Sequence, residues 1–122
     1  MKDEGAITID LDFRHSIEID ERQYTINHII QFLDCYCSKI EKLFELVDEE
    51  MEIYIYVFEK PTVNQIQEKN ITKDGIHIII GLKCNKYLQE ILRNQMLEEL
   101  PFIFQDIHCL LYTSDAADDR IG

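Results

Sequence analysis

Two cysteines one residue apart, Cys35 and Cys37, are the first side chains in this 122-residue chain whose type suggests chemistry. Thiolates bind zinc, but the paired ligands of a structural zinc site have two or more residues between them. Counted from Ile26 at roughly 100° per helical residue, Cys37 falls at about 20° and Cys35 at about 180°. The two thiols therefore diverge, Cys37 as a core filler and Cys35 as a surface thiol. His28 shares the wet face with Cys35, but seven residues of helix are roughly 10 Å, too far for one ion. His77 alternates with isoleucines and reads as a partly covered packing residue. His15 sits beside an expected turn with no nameable partner.

Carboxylates give one candidate. Counted from Leu88, Glu99 falls at about 20° and Gln95 at about 340°, both within an apolar stripe. A carboxylate held there needs a partner or a raised pKa, so Glu99 is the one candidate catalytic residue. It also stands just before Pro101, where a helix end lets a side chain reach water. Asp10, Asp12, Glu18, Asp20 and Glu21 cluster around the first expected strand. They lack the spacing and glycine of a calcium loop, and read as a solvated face or as a docking surface for a basic protein partner. The four glycines form neither a phosphate loop nor a nucleophile elbow. No metal site and no cofactor is expected.

The elements that position these residues follow from periodicity. Ile7, Ile9, Leu11 and Phe13 alternate with polar residues, which predicts a half-buried strand over 6–13, with Ile17 and Ile19 continuing or returning it. Thr25 is an acceptable N-cap. Ile26, Ile29, Ile30, Leu33, Cys37, Ile40, Phe44 and Val47 follow as the stripe of an amphipathic helix over 25–47. Ile53, Ile55 and Val57 on one face and Tyr54, Tyr56 and Phe58 on the other predict a central strand over 51–58, covered twice. A short helix over 62–69 from Thr62, a turn at Lys73-Asp74-Gly75, and a strand at 76–80 ended by Gly81 come next. A second helix over 86–100 carries Leu88, Ile91, Leu92 and Met96, and Pro101 kinks or ends it. The order predicts an α/β (or α+β) fold: a small sheet of three to four strands with the long helix and the second helix packed on it.

Charge sets the expected partners. Twenty-four acidic residues against twelve basic ones give a net charge of −12, which disfavours phosphate backbones, so nucleic acid is excluded on this ground. No run approaches the ~18–20 apolar residues that span a bilayer. The acidic N-terminus is no export signal, and cysteines without export point to the cytoplasm and free thiols.

Two resemblances bear on extent and function. Residues 109–119, Cys-Leu-Leu-Tyr-Thr-Ser-Asp-Ala-Ala-Asp-Asp, resemble the translation of a transposon-type sequencing adapter. That implies a single native domain over 1–108, truncated at its C-terminus, followed by a non-native tail over 109–122. The acidity belongs to residues 1–108, which hold 21 acidic and 11 basic residues. The element order over 7–102 resembles a lobe of gluzincin-type zinc peptidases. Their His-Glu-x-x-His window, in the family pattern His-Glu-Leu-x-His, would fall on Met96–Phe102, where Glu98 and Phe102 replace the two histidines and only Glu99 and its neighbour Leu100 match. The first expectation is therefore a non-catalytic acidic domain that binds a protein partner. The alternative is a truncated or degenerate zinc-peptidase-like hydrolase lobe.

Overall fold

The computed structural model describes residues 4–44, 53–107 and 110–114. Strand β1 (Glu4–Ser16) leads into helix α1 (Ile26–Phe44), then strands β2 (Ile55–Glu59) and β3 (Asn64–Ile66). A 3-10 turn (Gln67–Lys69), the long strand β4 (Ile71–Asn85), helices α2 (Lys86–Leu97) and α3 (Leu100–Ile103), and strand β5 (Leu110–Ser114) follow. The sheet runs β2-β4-β1-β5, every pairing is antiparallel, and β3 pairs with the first residues of β4. This is the mixed α/β architecture that the patterning predicts.

The alternation in β1 acts as read: Ile7, Ile9, Leu11 and Phe13 are buried, opposite Ile76, Ile78 and Ile80 of β4. Helices pack on this face. At 25 cal/mol per Å², each fully buried isoleucine or phenylalanine contributes about 1.5–3 kcal/mol, so these positions fix the strand's register. A bulge interrupts the β1–β4 pairing between Ala6 and Ile7. The buried Gln89 amide donates there to the carbonyls of Cys84 (3.0 Å) and Ala6 (3.3 Å).

Helix α1 starts where the sequence places it. The Thr25 N–H donates to His28 Nδ1 at 2.9 Å, a capping box with histidine in the place of the usual acidic residue. Its buried face differs from the expected stripe. Ile29, Phe32, Tyr36 and Ile40 are buried, whereas Ile26 and Ile30 are exposed. Turning the helix by roughly 60° buries two aromatic rings in exchange for two isoleucine side chains, and rings carry more apolar area. Cys35 consequently packs half-buried against the core, and Cys37 is half-buried too rather than a core filler. The Phe44 side chain and Val47 lie outside the described residues.

Three further local readings are corrected. β2 is an edge strand and not a central one: Tyr54, Tyr56, Val57 and Phe58 are all exposed. Apolar residues on both faces of a strand do not reveal whether anything covers them. Residues 62–69 form β3 and the 3-10 turn, not a helix, with Asn70 in the left-handed region at φ 58° closing the hairpin onto β4. Lys73-Asp74-Gly75 is no turn but lies within β4, and Gly81 does not end that strand. At Gly81 the N–H donates to the Tyr54 carbonyl at 2.9 Å, and a Cβ there would stand 3.2 Å from the same oxygen. At the other end of the chain, α2 is capped by Asn85, whose side chain accepts from the Leu88 N–H at 2.8 Å. It stops at Leu97, and Pro101 stands in the first turn of α3. Ile17 and Ile19 do not extend β1, and their carbonyls accept from Gln65 and Thr72 instead.

Candidate active site on the open face of the sheet

The residues of β1 that do not face the core are Thr8, Asp10, Asp12 and Arg14. Successive strand side chains alternate between faces, so these four share the side of the sheet opposite the helices. Register brings β4 alongside: Thr8 pairs with Ile79, Asp10 with His77, Asp12 with Gly75, and Arg14 with Lys73. Next outward, β2 sets Phe58 beside His77 and Tyr56 beside Ile79.

Asp10 and His77 meet directly, with Nδ1 2.6 Å from Oδ1 and side chains 37% and 36% exposed. They are 67 positions apart in sequence. A carboxylate accepting from Nδ1–H orients the ring and leaves Nε2 facing outward, as an acceptor when the ring is neutral and a donor when it is charged. Asp12, two residues along the same face, pairs with Arg14 at 3.6 Å and is 35% exposed. Gly75 leaves room beside it: a Cβ at Gly75 would stand 3.2 Å from the Leu11 carbonyl and 3.9 Å from the Lys60 ammonium nitrogen. The open face thus gathers two carboxylates, one imidazole and an ammonium group within three strand positions.

Donor chemistry tests what cation this set fits. Among the described residues no three His, Cys, Asp or Glu side chains converge as a metal cage. Two partly exposed carboxylates are hard oxygen donors that leave most of a coordination sphere vacant. That suits Mg²⁺, which is commonly held by one or two carboxylates with substrate phosphates and water completing the octahedron. It does not suit a structural zinc site, which needs four nitrogen or sulfur ligands from the protein.

Beneath Gly75, on the helix side, lies a second cluster. Asp74 is fully buried. Its carboxylate accepts from Arg22 Nε and Nη2, both at 2.8 Å, and from the Gly75 N–H at 2.9 Å. Arg22 Nη2 also donates to the Lys60 carbonyl at 2.7 Å, and the guanidinium stacks over the Tyr24 ring. The Tyr24 hydroxyl donates to Glu59 at 3.1 Å. The hydrogen bond to Asp74 holds the Arg22 guanidinium even more firmly protonated than usual, and burial raises the Tyr24 phenol. This cluster fastens the 17–24 loop and the end of β2 to β4, and so fixes the strand that carries Gly75 and His77.

The residues singled out from sequence are scattered. Glu99 is partly exposed and pairs with Lys39 at 3.4 Å, away from Asp10 and His77. Gln95, within α2, is exposed, because the buried face of that helix is the one carrying Gln89, Leu92 and Met96. His15 is buried and stacks on Phe13. His28 Nε2 donates to Asp106 at 2.8 Å. His108 lies outside the described residues. Asp10, Asp12 and His77 were each noticed in sequence, but as a solvated face and a packing residue. The i, i+2 carboxylate spacing on a strand was the signal that marks a shared face.

Comparison with known proteins adds the lineage. A search of the curated proteins finds no match. Among solved structures, the de novo designed protein Foldit4 is 11% identical over 88% of this chain and 96% of that one, with a TM-score of 0.38. The de novo designed protein Ferredog-Diesel is 10% identical over 88% and 83%, with a TM-score of 0.31. The model of the C962R protein N-terminal AEP domain, an archaeo-eukaryotic primase domain, matches residues 1–122. This match overturns two expectations drawn from sequence. One is the non-catalytic domain binding a basic protein partner, with the zinc-peptidase-like lobe as its alternative; the other is the exclusion of nucleic acid. The physical reason is that net charge is a property of the whole surface, whereas phosphate recognition is decided within a few ångströms by local groups and cations. Over its full length, the chain belongs to the C962R protein N-terminal AEP domain family.

Proposed function

We propose that this chain carries a nucleotidyl-transfer site of the primase type, built on Asp10, Asp12 and His77. The observation that carries the reading is their placement on one open sheet face, with the Asp10–His77 hydrogen bond at 2.6 Å. In such a reaction a hydroxyl oxygen attacks the α-phosphorus of a nucleoside triphosphate, a new P–O bond forms, and pyrophosphate leaves with the electrons of the broken bond. A divalent cation, when bound, neutralises charge on the phosphates and positions the reacting oxygens.

Asp10 and Asp12 are the residues that would hold the cation, each through a carboxylate oxygen. His77 is kept in one orientation by Asp10, so that Nε2 is presented to a phosphate oxygen. Lys60, its ammonium group over Gly75, adds positive charge on the same face. A net charge of −12 makes the site dependent on that cation, because little else on the surface offsets the phosphates.

The test is Mg²⁺-dependent binding of a fluorescent ATP analogue to the full chain, with Asp12→Asn and His77→Ala compared. Asp12→Asn is expected to remove the Mg²⁺ dependence, and His77→Ala to weaken binding about tenfold, the scale of one charge-assisted hydrogen bond. Nucleotide binding that is indifferent to Mg²⁺ and to both substitutions refutes the proposal.

A further inference from the structure

Among the described residues, strand β2 closes one edge of the sheet. Sheets keep such edges from pairing with proline, bulges or inward-pointing charge. Ile55–Glu59 has no proline and no bulge. Its one charge stands at the end of the strand, where Glu59 accepts from Tyr24 at 3.1 Å and lies 3.6 Å from Arg22. Tyr56, Val57 and Phe58 are 54%, 39% and 52% exposed. The backbone phase of this edge is fixed. The Tyr54 carbonyl accepts from the Gly81 N–H, so Tyr54 is directed at β4. Alternate residues of an antiparallel strand turn their N–H and C=O to alternate sides, so Tyr56 and Phe58 follow Tyr54. Ile55, Val57 and Glu59 therefore point theirs outward.

We infer that β2 is the pairing edge of a two-fold dimer, in which the β2 strand of a second copy lies antiparallel to it with Val57 on the axis. The inference does not rest on the function proposed above. This register overlaps the two strands completely. It sets Val57 opposite Val57 and Ile55 opposite Glu59, so every outward residue meets an outward residue, with about six N–H···O=C bonds in all. On the open face it sets Tyr56 opposite Phe58 twice, and cross-strand aromatic pairs of this kind stabilise antiparallel sheets. The strand is thus complementary to itself, which is what a two-fold contact between identical surfaces demands. Charge points to the same occupant. Between Ile53 and Pro61 the charged residues are Glu59 and Lys60, whose signs cancel. Two chains of net charge −12 repel each other, and a neutral strip is where they can meet, whereas a basic partner would gain nothing from it. Pro61 lacks an N–H and ends the pairing. The Phe58 ring lies 6.0 Å from that of His77, so each copy's Tyr56 comes to lie beside the other's Phe58, one strand out from the candidate site.

The test is sedimentation velocity of the full chain in EDTA, up to about 0.5 mM protein, at low and high NaCl. The expected mass rises with concentration from 14.5 kDa towards twice that value. Association should be tighter at the higher salt, which screens the repulsion between like-charged chains. Val57→Pro removes an outward N–H that β4 does not use, so it should melt close to wild type and associate at least about tenfold more weakly. Should V57P not fold, charge at the exposed rings decides. Y56E/F58E and Y56K/F58K should each stay monomeric alone and form a dimer on mixing, because the register sets position 56 opposite position 58. A wild type that stays monomeric at the highest concentration, a folded V57P that dimerises like wild type, or charge variants that do not pair on mixing each overturn the inference. So does growth beyond the dimer, which would assign the edge to head-to-tail pairing. Association that weakens with salt would assign the contact to ion pairs and overturn it too.

Discussion

Removing the carboxylate of Asp74 should destabilise the fold more than any other single polar substitution on the described residues. Asp74 is fully buried, accepts two 2.8 Å bonds from Arg22 and one 2.9 Å bond from the Gly75 N–H. Asp74→Ala strands a guanidinium whose side chain is only 23% exposed and leaves a backbone donor without its acceptor. Breaking a buried pair by removing one partner costs about 3–5 kcal/mol. Arg22 retains its bond to the Lys60 carbonyl and stands 3.6 Å from Glu59, so part of its charge stays compensated. The expected loss is accordingly at the lower end, about 3 kcal/mol, or about 10–15 °C in Tm for a chain of this size. Asp74→Asn keeps the volume and one acceptor oxygen and should lose about half as much. Urea denaturation of wild type, D74A, D74N, R22M and the double variant R22M/D74L measures all of these. The double variant should lose less than the sum of D74A and R22M, because neither charge is then left alone. A loss under about 1 kcal/mol for D74A would refute the reasoning, showing that Arg22 turns to solvent at no cost.

Further outcomes follow from other contacts. Gly75→Ala places a Cβ 3.2 Å from the Leu11 carbonyl, so β1 must shift beneath Asp10 and Asp12. A loss of about 1 kcal/mol is expected, and more for Gly75→Val, read by thermal melts; Mg²⁺-dependent nucleotide binding should weaken in both. The hydrogen bond from His28 holds the Asp106 carboxyl below its ordinary value of 3.8. A depressed carboxyl stabilises the fold above its unfolded pKa and ceases to do so as pH falls through the folded one. Wild type should therefore melt above Asp106→Asn at pH 7, with the gap closing as pH falls below the ordinary carboxyl value and through the depressed folded one. Burial raises the Cys35 and Cys37 thiols, with Glu99 and Asp34 adding to it respectively. Both should react with a disulfide reagent at pH 8 more slowly than a free cysteine, and urea should restore the ordinary rate.

Much of the fold was legible because it rests on local pattern. The period-two run in β1, the cap at Thr25 and the helix-breaking Pro101 each act within a few residues of themselves, so their effects could be read in place. The misreadings share another cause. Lys73-Asp74-Gly75 has turn chemistry, but Asp74 is held in mid-strand by Arg22, 52 positions earlier. Tyr54, Tyr56 and Phe58 have core chemistry, but the strand they follow lies at a sheet edge. In the first case a distant partner overrode local preference, and in the second the strand's place at the sheet edge did.

The sequence by itself determined which residues form the core of β1, where α1 and α2 begin, and that a mixed α/β sheet results, because periodicity and capping are short-range. It also contained Asp10 and Asp12 at the spacing that puts them on one strand face. Only the tertiary structure decided that this face is the one without helices and that β4 returns antiparallel to set His77 against Asp10 and Gly75 beside Asp12. It likewise placed Phe58 next to His77 and β2 at the edge. Those juxtapositions are fixed by the β1–β4 register, which is set by burying Ile7, Ile9, Leu11 and Phe13 on the opposite side. The site on the open face is positioned by the core on the covered one.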